Sequence, residues 1–207
     1  IFNNQKLVKA FIFIGFSGTV IAIFFSDKIL LLYLFPLLLL SLAYFFPLVK
    51  LRKRPWIKIF TLSFVWIVAT AVIPLLISNG RIIIYNEVIH LLARFCFICA
   101  ICIPFDIRDF EIDVNEKVST IPQLLGLNKA KSIAIVLMLL HIFFLVLEYA
   151  STIFDVKIFI ALFFSASITT LLILLTNEKR SEYFYVFGID GTMILQGVLL
   201  LLVKHIS

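Results

Sequence analysis

The chain has 207 residues, of which 63% are hydrophobic and 14% are charged, and its formal net charge is +6. With a mean hydropathy of +1.15, this composition excludes a soluble globular domain and predicts an integral, multi-pass membrane protein whose first partner is the lipid bilayer. The positive charge is expected to follow membrane topology, so no nucleic-acid partner is predicted.

Seven apolar runs follow one another along the chain, each near the length of roughly 20 residues that a helix needs to cross a bilayer. They predict an all-α, polytopic membrane helical bundle with seven transmembrane helices, at 8–26, 29–49, 57–78, 82–105, 132–149, 154–175 and 189–204. Residues 1–207 are therefore predicted to form a single transmembrane domain. Because the chain begins with Ile1 rather than Met, we expect that an N-terminal part of the protein precedes it.

Lys and Arg are distributed unequally between the predicted loops. If the loop 50–58 is placed on one side and the spans alternate, thirteen basic residues lie on that side and four on the other. Cytoplasmic loops carry an excess of Lys and Arg, so the loop 50–58 is predicted to be cytoplasmic. A bacterial inner membrane is the expected location.

Three aspartates end the fourth predicted span, in the segment Asp106-Ile-Arg-Asp109-Phe-Glu-Ile-Asp113. On a helix they fall within about 60° of one another, with Arg108 and Glu111 on the other side. Clustered carboxylates repel, and a bound Mg²⁺, which prefers oxygen ligands and keeps substrate phosphates in its shell, would relieve the repulsion. The predicted topology places this cluster on the cytoplasmic side, and the pattern suggests magnesium and a diphosphate.

The basic loop contains Lys50 and Arg52 in the sequence Tyr44-Phe-Phe-Pro47-Leu-Val-Lys50-Leu-Arg52. One interpretation is a membrane anchor of the kind that the positive-inside rule describes. The other is that these cations face the aspartate cluster across the same membrane surface and bind a diphosphate from its opposite end. Both interpretations stay open.

Glu87, His90 and Arg94 share one face of the fourth span at helical spacing, where an arginine is costly. Arg94 is therefore expected to face the bundle interior. It would either form an ion pair with Glu87 or line a polar cavity that receives an anionic substrate. His141 and Glu148, seven residues apart in the fifth span, suggest a similar polar face more weakly.

Cys96, Cys99 and Cys102 follow one another at intervals of three in the fourth span. The spacing invites a metal or redox interpretation, but a tetrahedral site needs a fourth ligand that the span does not offer. Thiolates are also costly inside a bilayer. We predict that the cysteines are small packing residues.

The segment from Asp106 to Asp113, followed by Ser119-Thr120-Ile-Pro122-Gln-Leu-Leu-Gly126, resembles the second aspartate-rich motif of the UbiA-type intramembrane prenyltransferases and the TLP…LG segment after it. Asp109 and Asp113 match the DxxxD pair of that motif, and Asp106 is similar to an acidic position ahead of it. The glycine that the family often has before TLP is absent, and Glu116-Lys117-Val118 stands there.

Two further stretches upstream resemble the same family. Tyr44 to Arg52 is similar to its Y…PLK stretch at the end of a span, and Lys58 with Trp66 is similar to the lK…W pattern that follows. The resemblance implies nine helices, with a first aspartate motif, NxxxDxxxD, after the second helix and the DxxxD motif after the sixth. Since the motif here follows the fourth span, the chain is expected to lack the first two helices and the first motif.

The resemblance implies a transferase that uses Mg²⁺ to move a prenyl group from a polyprenyl diphosphate to an aromatic or other lipophilic acceptor within the membrane. It implies that Asp109 and Asp113 are catalytic and that Asp106, Asp109 and Asp113 bind the metal. The candidate substrate-binding residues are Arg108, Lys117, Lys50, Arg52, Arg94 and Tyr44.

Two alternatives accompany this hypothesis. The first is a catalytically degenerate UbiA-like membrane bundle that binds a lipid or a protein partner. The second is a membrane CDP-alcohol phosphotransferase, which requires a DG…AR pattern, whereas Asp190-Gly191 is not followed by Ala-Arg. The acceptor, the length of the prenyl donor and the oligomeric state are left open by the sequence.

Overall fold

The computed structural model of the chain describes residues 5–26, 28–45, 54–79, 85–151 and 153–206. Within these ranges every regular element is a helix, which confirms the all-α class. The helices are α1 (Gln5–Phe25), α2 (Lys28–Phe45), α3 (Pro55–Ile67), α4 (Ile73–Asn79), α5 (Tyr85–Arg108), α6 (Phe110–Asn115), α7 (Ile121–Leu125), α8 (Leu127–Ala150), α9 (Val156–Leu174) and α10 (Gly191–Ile206). A π-helical segment, Val68–Val72, joins α3 to α4, and a second, Phe184–Ile189, precedes α10.

Among the described residues, five helical segments are long and apolar enough to cross a membrane: Pro55–Ser78, Glu87–Arg108, Leu127–Ala150, Val156–Leu174 and Phe184–His205. They support the prediction of a multi-pass membrane protein. The prediction of seven spans is not confirmed, because the apolar stretches described in α1 and α2, Phe13–Phe25 and Leu30–Tyr44, are shorter than a span.

Helix α5 is the centre of the bundle and packs along α8 for most of its length. Small side chains, Ala93 and Ala100 on α5 and Ala130 and Ala134 on α8, are almost completely buried, and residues of this size let two helices approach closely. The two helices are antiparallel. We call the end where α5 ends and α8 begins the charged end, and the end where α5 begins and α8 ends the opposite end.

The helices α5 and α8 both extend beyond their predicted bounds at the charged end. Helix α8 begins at Leu127 rather than at 132, because the side chain of Lys131 has partners: its Nζ donates hydrogen bonds to the carbonyl oxygens of Leu174 at 3.2 Å and Thr176 at 2.7 Å. These carbonyls lie at the end of α9, where helix carbonyls lack intrahelical donors. Helix α5 continues past 105 to Arg108, because its terminal charged residues are paired.

The segment between α3 and α4 departs from regular α-helix. Pro74 lies at the start of α4, and proline has no N–H with which to continue the helical hydrogen-bond ladder. The π-helical turn of Val68–Val72 comes directly before it. We attribute the irregular turn to this proline, since a proline commonly accompanies such local changes in a helix.

Candidate functional site

Asp106, Asp109 and Asp113 lie close together at the charged end. Asp106 is 2% exposed and Asp113 is 4% exposed, whereas Asp109 is half-buried. The amide of Asp109 donates to Phe105 O at 2.9 Å, and the amide of Asp113 donates to Asp109 O at 2.8 Å. Helical hydrogen bonding thus continues across the junction of α5 and α6, and it keeps the three aspartates on the predicted face, near enough to interact electrostatically.

Lys58, in the first turn of α3, is the closest cation to the buried carboxylate of Asp106. Its Nζ donates a hydrogen bond of 2.6 Å to Asp106 Oδ1, and it also interacts electrostatically with Asp113 and with Tyr44. The second oxygen, Asp106 Oδ2, is buried and has no hydrogen-bond partner in the part of the chain that the structure describes. One oxygen is therefore held by Lys58, whereas the other is buried without a partner among the described residues.

Lys58 was predicted only as part of the lK…W pattern, and no role in the site was expected for it. Its role could have been predicted from the order of the spans, because Lys58 lies at the start of one predicted span and Asp106 lies at the end of the next. Consecutive antiparallel helices bring such residues to the same end of a bundle.

Arg108 forms a two-pronged contact with its neighbour Asp109. Its Nε donates to Oδ1 at 2.7 Å and its Nη2 donates to Oδ2 at 2.9 Å. The guanidinium also lies over the rings of Phe105, at 5.0 Å, and Tyr185, at 5.8 Å. The expectation that Arg108 points away from the aspartate face is wrong, because its long side chain bends toward the neighbouring carboxylate of Asp109.

The chain leaves α6 through a turn in which Lys117 adopts the left-handed conformation, with φ of 55°. The amide of Val118 donates to Asp113 O at 2.9 Å, and that of Lys117 donates to Val114 O at 3.2 Å. This pair of bonds is a Schellman motif, whose left-handed position most often carries glycine. Lys117 therefore holds a backbone position that favours glycine, and its side chain is exposed beside the aspartates.

The segment from Thr120 to Gly126 forms a compact corner between the aspartates and α8. Thr120 is the extended N-cap of α7, and Pro122 lies in the first turn, where its missing N–H has no helical partner. Gly126 joins α7 to α8 with φ of +85°, a conformation that favours glycine. Val118 and Ile121 are buried, so this corner fixes the position of α6 against the bundle.

The remaining predicted site residues are divided between two places. Tyr44 is buried in the last turn of α2, close to Lys58, and therefore belongs to the charged end. Lys50 and Arg52 lie outside the described residues. Tyr185, which the sequence analysis did not select, is fully buried beside Arg108, and its hydroxyl donates to Asn177 O at 2.7 Å.

Arg94 lies far from the aspartates, in a second polar cluster toward the opposite end. His90 Nδ1 and Glu148 Oε1 are 2.9 Å apart, and His141 Nδ1 is 2.8 Å from Ala93 O. The predicted alternative of an ion pair between Arg94 and Glu87 is not formed. Arg94 instead lines a cavity of about 440 Å³, together with His90 and His141.

The cysteines of α5 occupy packed positions. Cys96 and Cys99 are buried and Cys102 is half-buried, and Cys99 Sγ donates to Ser63 Oγ at 3.1 Å. Within the described ranges, no three side chains of His, Cys, Asp or Glu are arranged as a ready metal site.

Comparison of the chain with protein-family models, with curated proteins and with solved structures finds no match.

Proposed function

We propose that the charged end binds the diphosphate of a polyprenyl diphosphate and that the protein transfers the prenyl group to an aromatic or other lipophilic acceptor within the membrane. The observation that carries this proposal is the concentration of three carboxylates and two paired cations, Lys58 and Arg108, at one end of an apolar bundle. The prenyl tail would lie among apolar helices, and its charged diphosphate would lie at the end. The resemblance of the aspartate segment to the UbiA-type motif supports the same chemistry.

Mg²⁺ fits the donor set, because carboxylate oxygens are its preferred protein ligands. Asp106, Asp109 and Asp113 would hold it, and the buried Asp106 Oδ2, which has no hydrogen-bond partner among the described residues, is the best-placed oxygen. When bound, Mg²⁺ would neutralise charge on the leaving diphosphate. Asp109 would first have to exchange part of its contact with Arg108 for the new ligand.

The basic residues would bind and orient the diphosphate. An arginine released from Asp109 can make paired hydrogen bonds to phosphate oxygens, and Lys117 presents its exposed ammonium from the adjoining turn. Lys50 and Arg52 are proposed to approach from the basic loop. In the reaction, the bond between the prenyl carbon and the diphosphate oxygen breaks and pyrophosphate leaves with the electron pair. The acceptor then bonds to that carbon and loses a proton.

A second candidate is a bundle that kept the architecture and lost the chemistry. Its support is that two of the three aspartates already have internal counter-ions, since Lys58 bonds to Asp106 at 2.6 Å and Arg108 engages both oxygens of Asp109. Such pairs neutralise the carboxylates without a metal. The protein would then bind a lipid or a membrane partner without transferring a group.

Release of pyrophosphate separates the two candidates. The full-length protein, purified in lipid nanodiscs, is supplied with Mg²⁺, farnesyl or longer polyprenyl diphosphates, and a panel of aromatic and lipid acceptors. We expect acceptor-dependent release, reduced at least about hundredfold by Asp113→Asn or Asp109→Asn, because ligand carboxylates are central to such sites. Glu111→Gln is the matched control, because Glu111 is exposed on the same helix, and it should keep most of the activity.

The outcome that favours the inert bundle is equally distinct. No pyrophosphate release with any donor and acceptor, by protein that is folded and monodisperse, would contradict prenyl transfer. Equal activity of Asp113→Asn and Glu111→Gln would also contradict the proposed role of the aspartates.

A further inference from the structure

A cavity of about 440 Å³ lies between α5, α8, α9 and α10, in the half of the bundle away from the aspartates. Its volume is in the range of small-molecule binding sites. Apolar side chains, among them Leu145, Ile158 and Leu162, form much of its wall, and Arg94 and His141 contribute polar groups. The lining is therefore suited to a ligand with an apolar body and a polar head.

Arg94 brings a positive charge into this cavity, and no ion pair of its side chain is formed with the described residues. A guanidinium stays protonated in proteins, and an arginine within a membrane span is costly unless it is paired. Among the residues that the structure describes, no carboxylate lies within salt-bridge distance of Arg94. An anionic ligand in the cavity would supply the missing charge.

His141 adds a second, independent requirement. It is 1% exposed, and its Nδ1 lies 2.8 Å from the carbonyl oxygen of Ala93. Because a carbonyl only accepts hydrogen bonds, Nδ1 carries the proton, and in the neutral ring Nε2 is then an acceptor. Nε2 is buried and has no partner in the described part of the chain, so a hydroxyl group on the ligand can donate to it.

The charged side chains near the cavity limit how much negative charge a bound ligand can carry. Glu148 is fully buried and contacts His90 at 2.9 Å, and among the described residues Arg94 lines the cavity without an ion pair. A head group with two or more negative charges would exceed the single positive charge and would be repelled by Glu148. A head group with one negative charge matches the site.

We propose that this cavity binds a lipid-soluble hydroxy acid, with its carboxylate against Arg94 and its hydroxyl donating to His141 Nε2. The apolar body of the ligand would lie against Leu145, Ile158 and Leu162. This site uses none of the aspartates, so a test of it does not depend on whether the protein transfers a prenyl group.

Binding of matched amphiphiles tests the proposal. The full-length protein in phosphatidylcholine nanodiscs is titrated with 3-hydroxydodecanoate, dodecanoate and dodecan-1-ol, and the uptake by empty nanodiscs is subtracted. We expect saturable binding that weakens in that order, with at least about a tenfold difference between dodecanoate and dodecan-1-ol, because the acid forms a charge-assisted hydrogen bond. Equal binding of the acid and the alcohol, or no saturable binding, by the unaltered protein would overturn the proposal.

Substitutions of Arg94 and His141 test which group of the ligand each residue contacts. Arg94→Gln should abolish the preference for the acid over the alcohol, and His141→Phe should abolish the preference for the hydroxy acid over the simple acid. Lys157→Gln is the matched control, because Lys157 is an exposed cation at the same end of the bundle and does not line the cavity. A folded Arg94→Gln variant that keeps the full preference for dodecanoate would also contradict the proposal.

Discussion

The two polar clusters of this bundle hold their charges differently. At the charged end, Lys58 bonds to Asp106 at 2.6 Å and Arg108 bonds to Asp109 at 2.7 and 2.9 Å. In the interior cluster, His90 contacts Glu148, and Arg94 has no carboxylate within the described residues. Two aspartates of the first cluster are thus paired with cations without a ligand, whereas the arginine of the second has no salt-bridge partner among the described residues.

This difference bears on how each cluster would bind a ligand. A ligand at the charged end must displace or share existing ion pairs, so tight internal pairing there opposes binding. An anionic ligand in the interior cavity would give Arg94 a salt-bridge partner, and binding would stabilise the fold. Substitutions that disturb each cluster should therefore have different effects on the free energy of unfolding.

The largest expected effect is at the charged end. Lys58→Met leaves Asp106, which is 2% exposed, as a buried carboxylate without its cation, and we expect a loss of about 3 kcal/mol in the free energy of unfolding. Equilibrium unfolding in mixed micelles measures it. The double variant Lys58→Met/Asp106→Leu should recover most of the loss, because it removes both charges. If Lys58→Met is as stable as the exposed control Lys129→Met, the pair does not stabilise the bundle.

A smaller effect is expected in the interior cluster. His90→Phe removes the partner of the fully buried Glu148, and we expect the free energy of unfolding to fall by about 2 kcal/mol. Glu148→Gln in the His90→Phe background should restore stability, since a neutral amide is less costly to bury than a carboxylate. The same unfolding measurement applies. A further loss in the double variant would show that the carboxylate of Glu148 has another stabilising partner.

The contact between α8 and the end of α9 should contribute less. Lys131→Met removes the hydrogen bonds from Nζ to the carbonyl oxygens of Leu174 and Thr176, and the expected loss is about 1 kcal/mol. Lys129→Met, two residues away and exposed, is the matched control and should be neutral. Equal stability of the two variants would mean that water replaces the lysine at these carbonyls without loss.

The smallest effect has the opposite sign. Lys117 holds φ at 55°, and glycine adopts this left-handed conformation without strain, so Lys117→Gly should raise the free energy of unfolding by about 0.5 kcal/mol. Lys129→Gly, in the first turn of α8, should lower stability because glycine is unfavourable within a helix. If the free energy of unfolding falls in both variants, the side chain of Lys117 stabilises the fold by more than the strain of its backbone destabilises it.

Features formed by residues that are close together in the sequence could be predicted from the sequence. The aspartate face lies on one run of helix, so helical spacing alone placed Asp106, Asp109 and Asp113 together. Hydropathy found the five long apolar helices, although the two N-terminal spans are not confirmed. The bounds of α8 were missed because Lys131 resembles a loop residue in sequence, while in the fold it caps the end of α9.

Contacts between helices were harder to predict from the sequence. Helical spacing suggested Glu87 as the partner of Arg94, but the bundle pairs His90 with Glu148, 58 residues further along the chain. Similarly, Lys58 and Asp106 are 48 residues apart. Such pairs depend on which faces of α3, α5 and α8 meet, and apolar helices of similar composition do not specify this from one sequence.

The most direct measurement of the central claim is metal binding at the aspartates in the presence of a donor substrate. Mn²⁺ can replace Mg²⁺ as a paramagnetic probe, and its electron paramagnetic resonance spectrum reports binding to the full-length protein in nanodiscs. We predict saturable Mn²⁺ binding that requires a polyprenyl diphosphate, that is lost in Asp106→Asn and Asp113→Asn, and that persists in Glu111→Gln. Binding of Mn²⁺ that is the same with and without the diphosphate and is unaffected by Asp106→Asn and Asp113→Asn would contradict the claim that these aspartates form a diphosphate site.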